Sequence, residues 1–243
     1  MITPKRLVKA VSARMSRVAC NFENCFSSKN RFCNSCSMNT TRFYTYGNRP
    51  FGCPRCGSST RERFVIHCID SKTLAPPEQD FLHVAPNEIG IIRRFEHLPG
   101  YRPVDLFPEI YPATQTKRCD LMELGMQDEL DVAYLSHVME HVPCDKTVLE
   151  NLFQALRTNG RLWILVPLWD KPTVDGTSAM TGKERERAFG QWDHVRQYGP
   201  DIAQRMEAAG FQVDTIQAGS VDQETFERLG LNRQDWIFCG TKP

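Results

Sequence analysis

The chain has 243 residues, 41% of them apolar and 24% charged, with a formal net charge of +1. Such a length and apolar fraction support one main domain with a small appendage. No internal repeat or low-complexity tract occurs, and no apolar run approaches the roughly 18 residues of a membrane span.

Residues 1–63 carry 12 Lys/Arg against only Glu23 and Glu62, a net of +10. The remainder carries 18 basic and 27 acidic residues, a net of −9. A basic segment of this size attracts nucleic acid, an anionic substrate or the acidic body of its own protein. Charge alone does not choose among the three. Residues 1–30 read as a basic leader: Lys5, Arg6, Lys9, Arg14 and Arg17 precede no apolar core, so the segment is not a secretory signal. A frayed leader or surface helix is expected, with an organelle transit peptide as the alternative.

Residues 31–60 hold two CxxC knuckles, Cys33-Asn-Ser-Cys36 and Cys53-Pro-Arg-Cys56, separated by 16 residues. Each knuckle places two thiolates on one tight turn. Four thiolates close a tetrahedral site with no open position, which points to structural Zn2+. The ion would supply much of the folding energy of so small a segment and bring the net charge of residues 1–63 to about +8. Between the knuckles, Phe43, Tyr44 and Tyr46 precede Gly47-Asn48, a pattern suited to a small hairpin. Cys20 and Cys25 read as bystander thiols, and Cys68, Cys119, Cys144 and Cys239 as small core residues. Metal-binding cysteines, in place of a disulfide framework, imply a reducing, cytoplasmic location.

Residues 61–243 alternate β and α patterns. Apolar positions 64, 65, 68 and 69 predict a helix over 60–70, ended before Pro76-Pro77. A first strand is expected over 81–86, a helix over 88–97, a second strand ending at Val104-Asp105 and a third over 116–119. Asp131 opens a fourth strand. A helix with Val148, Leu149, Leu152, Phe153 and Leu156 on one face leads to a turn at Asn159-Gly160 and a fifth strand ending at Val166. Residues 168–198 are long, polar and irregular, with Trp169, Trp192 and Tyr198 interleaved, as in a functional lid. A last helix over 201–209 stops at Gly210, and strands over 211–217 and 235–240 close the chain. The alternation predicts a doubly wound sheet, whose ligands bind at the carboxyl ends of the strands.

Ser136-His137-Val138-Met139-Glu140-His141, followed by a helix and Thr158-Asn159-Gly160, resembles the fourth and fifth strands of class I S-adenosylmethionine-dependent methyltransferases of the type 11 kind. The run His83-Val84-Ala85-Pro86-Asn87-Glu88 is similar to the first loop of a subgroup with an N-terminal zinc ribbon. Phe189-Gly190-Gln191-Trp192-Asp193-His194-Val195-Arg196-Gln197-Tyr198-Gly199 resembles that subgroup's lid. The resemblance covers roughly residues 33–243. It implies an α/β, Rossmann-like, mostly parallel sheet with an antiparallel last strand, and S-adenosylmethionine as cosubstrate. The first loop departs from the broader family: His83 stands where an acid is usual, only Gly90 remains of the glycines, and Pro86 lacks an N–H.

By that resemblance the cofactor would lie against His83, Ala85, Pro86, Asn87, Glu88, Asp105, Leu106, Asp120, Leu121, Ser136 and His137. A carboxylate at Asp105 can accept from both ribose hydroxyls; otherwise it is a solvated turn acid before Pro108. Asp120 can accept from the adenine amine while Leu121 packs on the ring, or Asp120 caps a helix. Ser136 and His137 would lie below the sulfonium. Glu140 and His141 either face the ligand or form a helix-terminal pair.

In-line methyl transfer needs alignment, exclusion of water and removal of a proton, but no metal. His194 has a suitable unperturbed pKa for a base. Asp193 could orient it or hold an amine, Arg196 could clamp an anionic substrate, and Tyr198 could donate a hydrogen bond. The competing reading makes Asp193, His194 and Arg196 a lock that fastens the lid. His67 and His97 read as ordinary helix histidines. The expected function is methyl transfer to a small-molecule or saccharide-like acceptor by a monomer or weak homo-oligomer. The alternatives are an rRNA or tRNA methyltransferase whose basic ribbon binds RNA, and a non-catalytic zinc-ribbon binding protein.

Overall fold

The computed structural model describes residues 4–46, 49–112 and 114–243; the expected turn at Gly47-Asn48 lies outside the described residues. Along the chain run α1 (Pro4–Glu23), β1 (Arg31–Cys33), β2 (Met38–Thr40), β3 (Tyr44–Tyr46), β4 (Arg49–Gly52) and α2 (Thr60–Asp70). There follow β5 (Asp80–Val84), α3 (Ile89–Phe95), β6 (Gly100–Asp105), β7 (Lys117–Arg118), β8 (Leu130–Ser136), α4 (Asp145–Ala155) and β9 (Leu156–Leu165). The chain ends with β10 (Val174–Asp175), α5 (Gly182–Phe189), β11 (Arg196–Gln197), α6 (Ile202–Ala208), β12 (Gln212–Gln217), α7 (Gln223–Leu229) and β13 (Trp236–Thr241). The described residues form two compact units. One comprises those up to Ala75 with Glu88–Arg94 and Gln217–Asp235; the other comprises Pro76–Asn87, Phe95–Ile216 and Trp236–Pro243.

In the first unit the basic leader is a docked helix. Arg17 Nε donates to the Pro54 carbonyl at 2.7 Å, Ser16 Oγ accepts from Thr45 N at 3.0 Å, and Glu23 pairs with Arg42. Cys20 is buried on this face, while Val8, Val11, Met15, Val18 and Phe22 stand exposed on the helix's other side. The ribbon consists of two antiparallel pairs, β1 with β2 and β3 with β4. Ser59 caps α2, accepting from Glu62 N. Arg63 is fully buried; it donates to the carbonyls of Ser58, Leu229 and Gly230 and lies 3.7 Å over the Phe43 ring. Gly230 ends α7 in the left-handed region (φ 57°), and a Cβ there would stand 2.4 Å from Phe43, so glycine serves both the turn and the close approach. The two closing strands are therefore joined through α7 and not by a hairpin turn.

In the second unit seven strands lie in the order β12-β13-β9-β8-β5-β6-β7. The pairs β5/β6, β5/β8, β6/β7 and β8/β9 are parallel, and β13 runs antiparallel to β9. Alternation along each strand separates two faces. Leu82, Val84, Ala133, Leu135, Leu162 and Ile164 share one apolar cluster with Val148, Leu149 and Leu152 of α4 and Ile202 and Met206 of α6. On the opposite face Phe81, His83, Tyr101, Tyr134 and Trp163 form an aromatic layer. The turn expected at Asn159-Gly160 is an excursion inside β9: Leu130 pairs Leu156, the next register pair is Val132 with Arg161, and Asn159 takes φ 64°.

Residues 168–198 are ordered into local structure, unlike the irregular segment expected. β10 pairs β11, α5 begins at a Thr181/Glu184 capping box, and the left-handed Gly190 ends it. These signals span only a few residues each, and the polar composition masks them. No helix among the described residues is long and apolar enough to cross a membrane.

Candidate functional site

The chain order of the sheet reverses between β5 and β8, and an open α/β sheet offers its ligand crevice beyond the carboxyl ends of such strands. Both tips carry unusual backbone. Ala85, directly after β5, has φ 52°, and His137, directly after β8, has φ 58°. A non-glycine residue in this region is uncommon and costs on the order of 1–3 kcal/mol, a strain that clusters at ligand sites. Each turn is anchored to its neighbour strand: Ala85 N donates to Val104 O at 2.9 Å and His137 N to Leu165 O at 2.8 Å.

Polar groups gather beyond β8. Ser136 is buried with its Oγ unpartnered. Glu140 is 2% exposed, and neither carboxylate oxygen makes a hydrogen bond; the His137 Nδ1 lies 3.3 Å from Oε1. Burial raises the Glu140 pKa, but the His137 and His141 rings outweigh it and hold the carboxyl below its usual range. Asp193 Oδ2 stands 3.6 Å from His141 Nδ1, and its Oδ1 has no hydrogen bond. His194 packs edge-on against His141, ring centroids 4.8 Å apart. Its Nδ1 lies 3.1 Å from the Phe189 carbonyl, which can only accept. The proton therefore sits on Nδ1, leaving a lone pair on Nε2. Burial lowers the His194 pKa, against the pull of Glu140, so the ring is neutral near pH 7.

Arg196 makes the internal bonds of the lock reading in place of a clamp, and the Tyr198 hydroxyl donates within the protein. Arg196 is 4% exposed; it donates to the carbonyls of Met139 (2.8 Å), Val142 (2.7 Å) and Pro143 (3.1 Å) and to Asp175 (2.8 Å). Tyr198 is buried, and its hydroxyl donates to Asp145 Oδ2 at 2.9 Å, which also accepts from Arg205 at 2.8 Å. Burial pushes the Tyr198 phenol up, and burial of Asp175 is outweighed by Arg205 and Arg196, which keep it ionised. Four of the five Arg196 N–H groups and the Tyr198 hydroxyl are thus engaged within the protein. They fasten residues 168–198 to the turn after β8.

The remaining expected cofactor residues divide. His83 is corrected to a core residue: the pleat turns it into the aromatic layer, wholly buried, with Nδ1 2.9 Å from the Tyr101 hydroxyl. Glu88 belongs to the first unit, where it is buried. Pro86 is buried and Asn87 exposed beside the strained Ala85. Asp105 stands at the tip of β6; its two oxygens accept from Phe107 N (2.7 Å) and the Tyr111 hydroxyl (3.1 Å). Leu106 next to it is exposed, as are Phe107 and Ile110. Asp120 caps the single turn at Leu121–Glu123 through Met122 N at 2.9 Å, and Leu121 is turned into the core.

In the first unit the four knuckle cysteines converge. Cys33 and Cys56 sulfurs lie 3.7 Å apart, as do Cys36 and Cys53. Four sulfurs at about 2.3 Å from a tetrahedral zinc stand about 3.8 Å from one another, so the set fits the ion. Cys20 and Cys25 lie outside it. Cys68 and Cys239 are buried, whereas Cys119 and Cys144 are half-buried.

No family model matches the chain, and no curated protein sequence does. Solved structures match it. The 1,6-didemethyltoxoflavin-N1-methyltransferase of Burkholderia thailandensis aligns with a TM-score of 0.52 at 19% identity, over 75% of this chain and 78% of its own. An S-adenosylmethionine-dependent methyltransferase from Mesorhizobium loti gives 0.51 at 16% identity, over 73% and 97%. One from Archaeoglobus fulgidus gives 0.50 at 14% identity, over 76% and 95%. The fold is that of the Rossmann-like methyltransferases.

Within this methyltransferase fold the strained tips of β5 and β8 are features that the sequence reading did not find, since nothing local marks an alanine or histidine for the left-handed region. Glu140 and His141, left undecided from the sequence, join His194 and Asp193 in one cluster.

Proposed function

We propose that the chain is an S-adenosylmethionine-dependent methyltransferase for a small-molecule or saccharide-like acceptor, with Zn2+ stapling its ribbon. One observation carries the reading: strained backbone and unsatisfied buried polar groups meet at the tips of β5 and β8, the switch point of a methyltransferase fold. Native proteins leave few buried polar groups unpaired, and such groups mark a place where a ligand completes the bonding. S-adenosylmethionine, when bound, supplies the electrophilic methyl group.

The chain's residues supply position and proton acceptance. Two of the roughly four acceptor positions of the Asp105 carboxylate are used internally, which leaves two for the ribose hydroxyls. The exposed Leu106 and Phe107 offer apolar surface to the base, a role that the buried Leu121 cannot take. Asp120 uses one oxygen as a cap and keeps the other for the adenine amine. Ala85 brings the β5 backbone close, as glycine does in other members of the fold. His194 Nε2 and the Glu140 carboxylate are the proton-accepting groups near the β8 tip. The lock through Arg196 and Tyr198 keeps the covering segment ordered and water out.

Calorimetry with S-adenosylhomocysteine tests the reading. One molecule should bind per chain, and Asp105→Ala should weaken binding at least about tenfold, the loss of charge-assisted hydrogen bonds. No binding at millimolar concentration would leave the non-catalytic ribbon protein standing. Cys53→Ser should remove one zinc equivalent.

A further inference from the structure

The Glu140, His141 and His194 side chains each present one ligand atom, all within 4.8 Å of one another. Each has the support that metal ligands receive in proteins. The His194 Nδ1 proton is held by the Phe189 carbonyl, which leaves Nε2 as a lone pair available to an ion. The His141 Nδ1 lies 3.6 Å from Asp193 Oδ2, a carboxylate placed to orient the ring. Glu140 is almost fully buried; His137 Nδ1 stands 3.3 Å from Oε1, and Oε2 has no hydrogen-bond partner. The two rings stand edge to face with centroids 4.8 Å apart, close enough for one nitrogen of each to reach a shared ion.

We propose that Glu140, His141 and His194 form a second metal site, a two-histidine, one-carboxylate set for a divalent transition cation beyond the tip of β8. The ligand chemistry differs from that of the four-thiolate ribbon. Imidazole with carboxylate suits Zn2+, Mn2+, Fe2+ or Co2+, and its nitrogen content disfavours Mg2+ and Ca2+. Ligand atoms at about 2.1 Å from one ion are at most about 4.2 Å apart, so small side-chain rotations close the set. Three protein ligands leave positions open, as in catalytic and not structural sites. Those positions would take a hydroxyl oxygen of the acceptor and lower its pKa, its proton passing to bulk water. That role rests on the methyl-transfer reading, in which the ion replaces direct proton acceptance by His194 and Glu140; binding of the ion does not.

Equilibrium dialysis of the full chain against micromolar Mn2+, with total metal per chain measured by elemental analysis, tests the site. The wild type should hold one equivalent more metal, zinc and manganese together, than Glu140→Gln. Asp193→Ala, which acts through His141, should need about tenfold more free Mn2+ for the same occupancy. A cooperative thermal transition without added Mn2+ checks that each variant is folded. Equal metal in the wild type and Glu140→Gln overturns the site. S-adenosylhomocysteine binding measured on the same samples separates the two ideas: its absence alongside an intact metal difference counts against the methyl-transfer reading alone.

Discussion

Arg196 and His194 stand two residues apart and are both buried, yet their surroundings differ in kind. Arg196 gives hydrogen bonds to three carbonyls and Asp175, and its neighbours Tyr198 and Arg205 complete the network at Asp145. Around His194 the Glu140 oxygens and one Asp193 oxygen lack hydrogen bonds, and the adjoining β8 tip adds the strained His137 and the bare Ser136 hydroxyl. A satisfied buried network rigidifies; a half-satisfied one costs stability unless something binds there. The first fastens residues 168–198 to the turn after β8, and the second stands at the tip of β8 with bonding capacity unused.

The sharpest way to break this contrast is Arg196→Ala. It would strip the carbonyls of Met139, Val142 and Pro143 of a buried donor and leave Asp145 and Asp175 with Arg205 as their remaining cation, a loss of about 3–5 kcal/mol. Urea unfolding should show a loss of that size; a loss below about 1 kcal/mol would mean that the network is a surface-like decoration and that the covering segment is held by something else.

Glu62 extends the comparison to the first unit. Unlike Glu140 it is hydrogen-bonded, by Ser35 Oγ (2.7 Å) and Gly90 N (2.8 Å), yet burial pushes its pKa up to about 7. The folded chain therefore keeps a proton that the unfolded chain has released above about 4.5. Because the folded state binds more protons in that interval, stability falls as pH rises from about 4.5 to about 7 and is level above it. Glu62→Gln keeps both acceptor bonds and removes the titration. Its gain over the wild type should be small at pH 5 and about 1–3 kcal/mol at pH 8. A gain independent of pH would show that the Glu62 proton is not involved.

Tyr198→Phe asks for less. It removes one hydroxyl from Asp145, which keeps Arg205, so about 1 kcal/mol should be lost. S-adenosylhomocysteine affinity should not change, since the hydroxyl serves the lock. A change in affinity with unchanged stability would return Tyr198 to the substrate.

Parts of this arrangement were legible in the sequence because their cause is local. The CxxC spacing announces four converging thiols, periodicity gives α2 its span, and Gly210 ends the helix before β12. Asp105 could be placed at a strand tip from the apolar run that precedes it. What stayed hidden depends on partners distant in sequence. Arg63 looks like any exposed helix arginine until carbonyls 166 and 167 positions away satisfy it. Arg196 and Tyr198 looked substrate-directed because no pattern marks the carbonyls of residues 139–143 as their acceptors. His83 was misplaced by pleat parity, since one step along β5 moves a side chain to the other face. The segment Gln217–Asp235 joins the first unit through contacts that residue type does not announce.

The smallest effect on stability is expected where the functional effect is largest. Glu140→Gln relieves the burial of a charge, which by itself favours the folded chain. Against that stands the loss of the His137 and His141 attraction, which holds the carboxyl ionised. The two oppose each other, and the urea midpoint without added cation should move by no more than about 1 kcal/mol. Added Mn2+ should then stabilise the wild type, because an ion that binds only the folded chain adds stability in proportion to the logarithm of its concentration. It should leave the variant unmoved. A stability loss on the scale of Arg196→Ala, with no response of the wild type to the cation, would make Glu140 a structural residue like its neighbour and erase the distinction between the two networks.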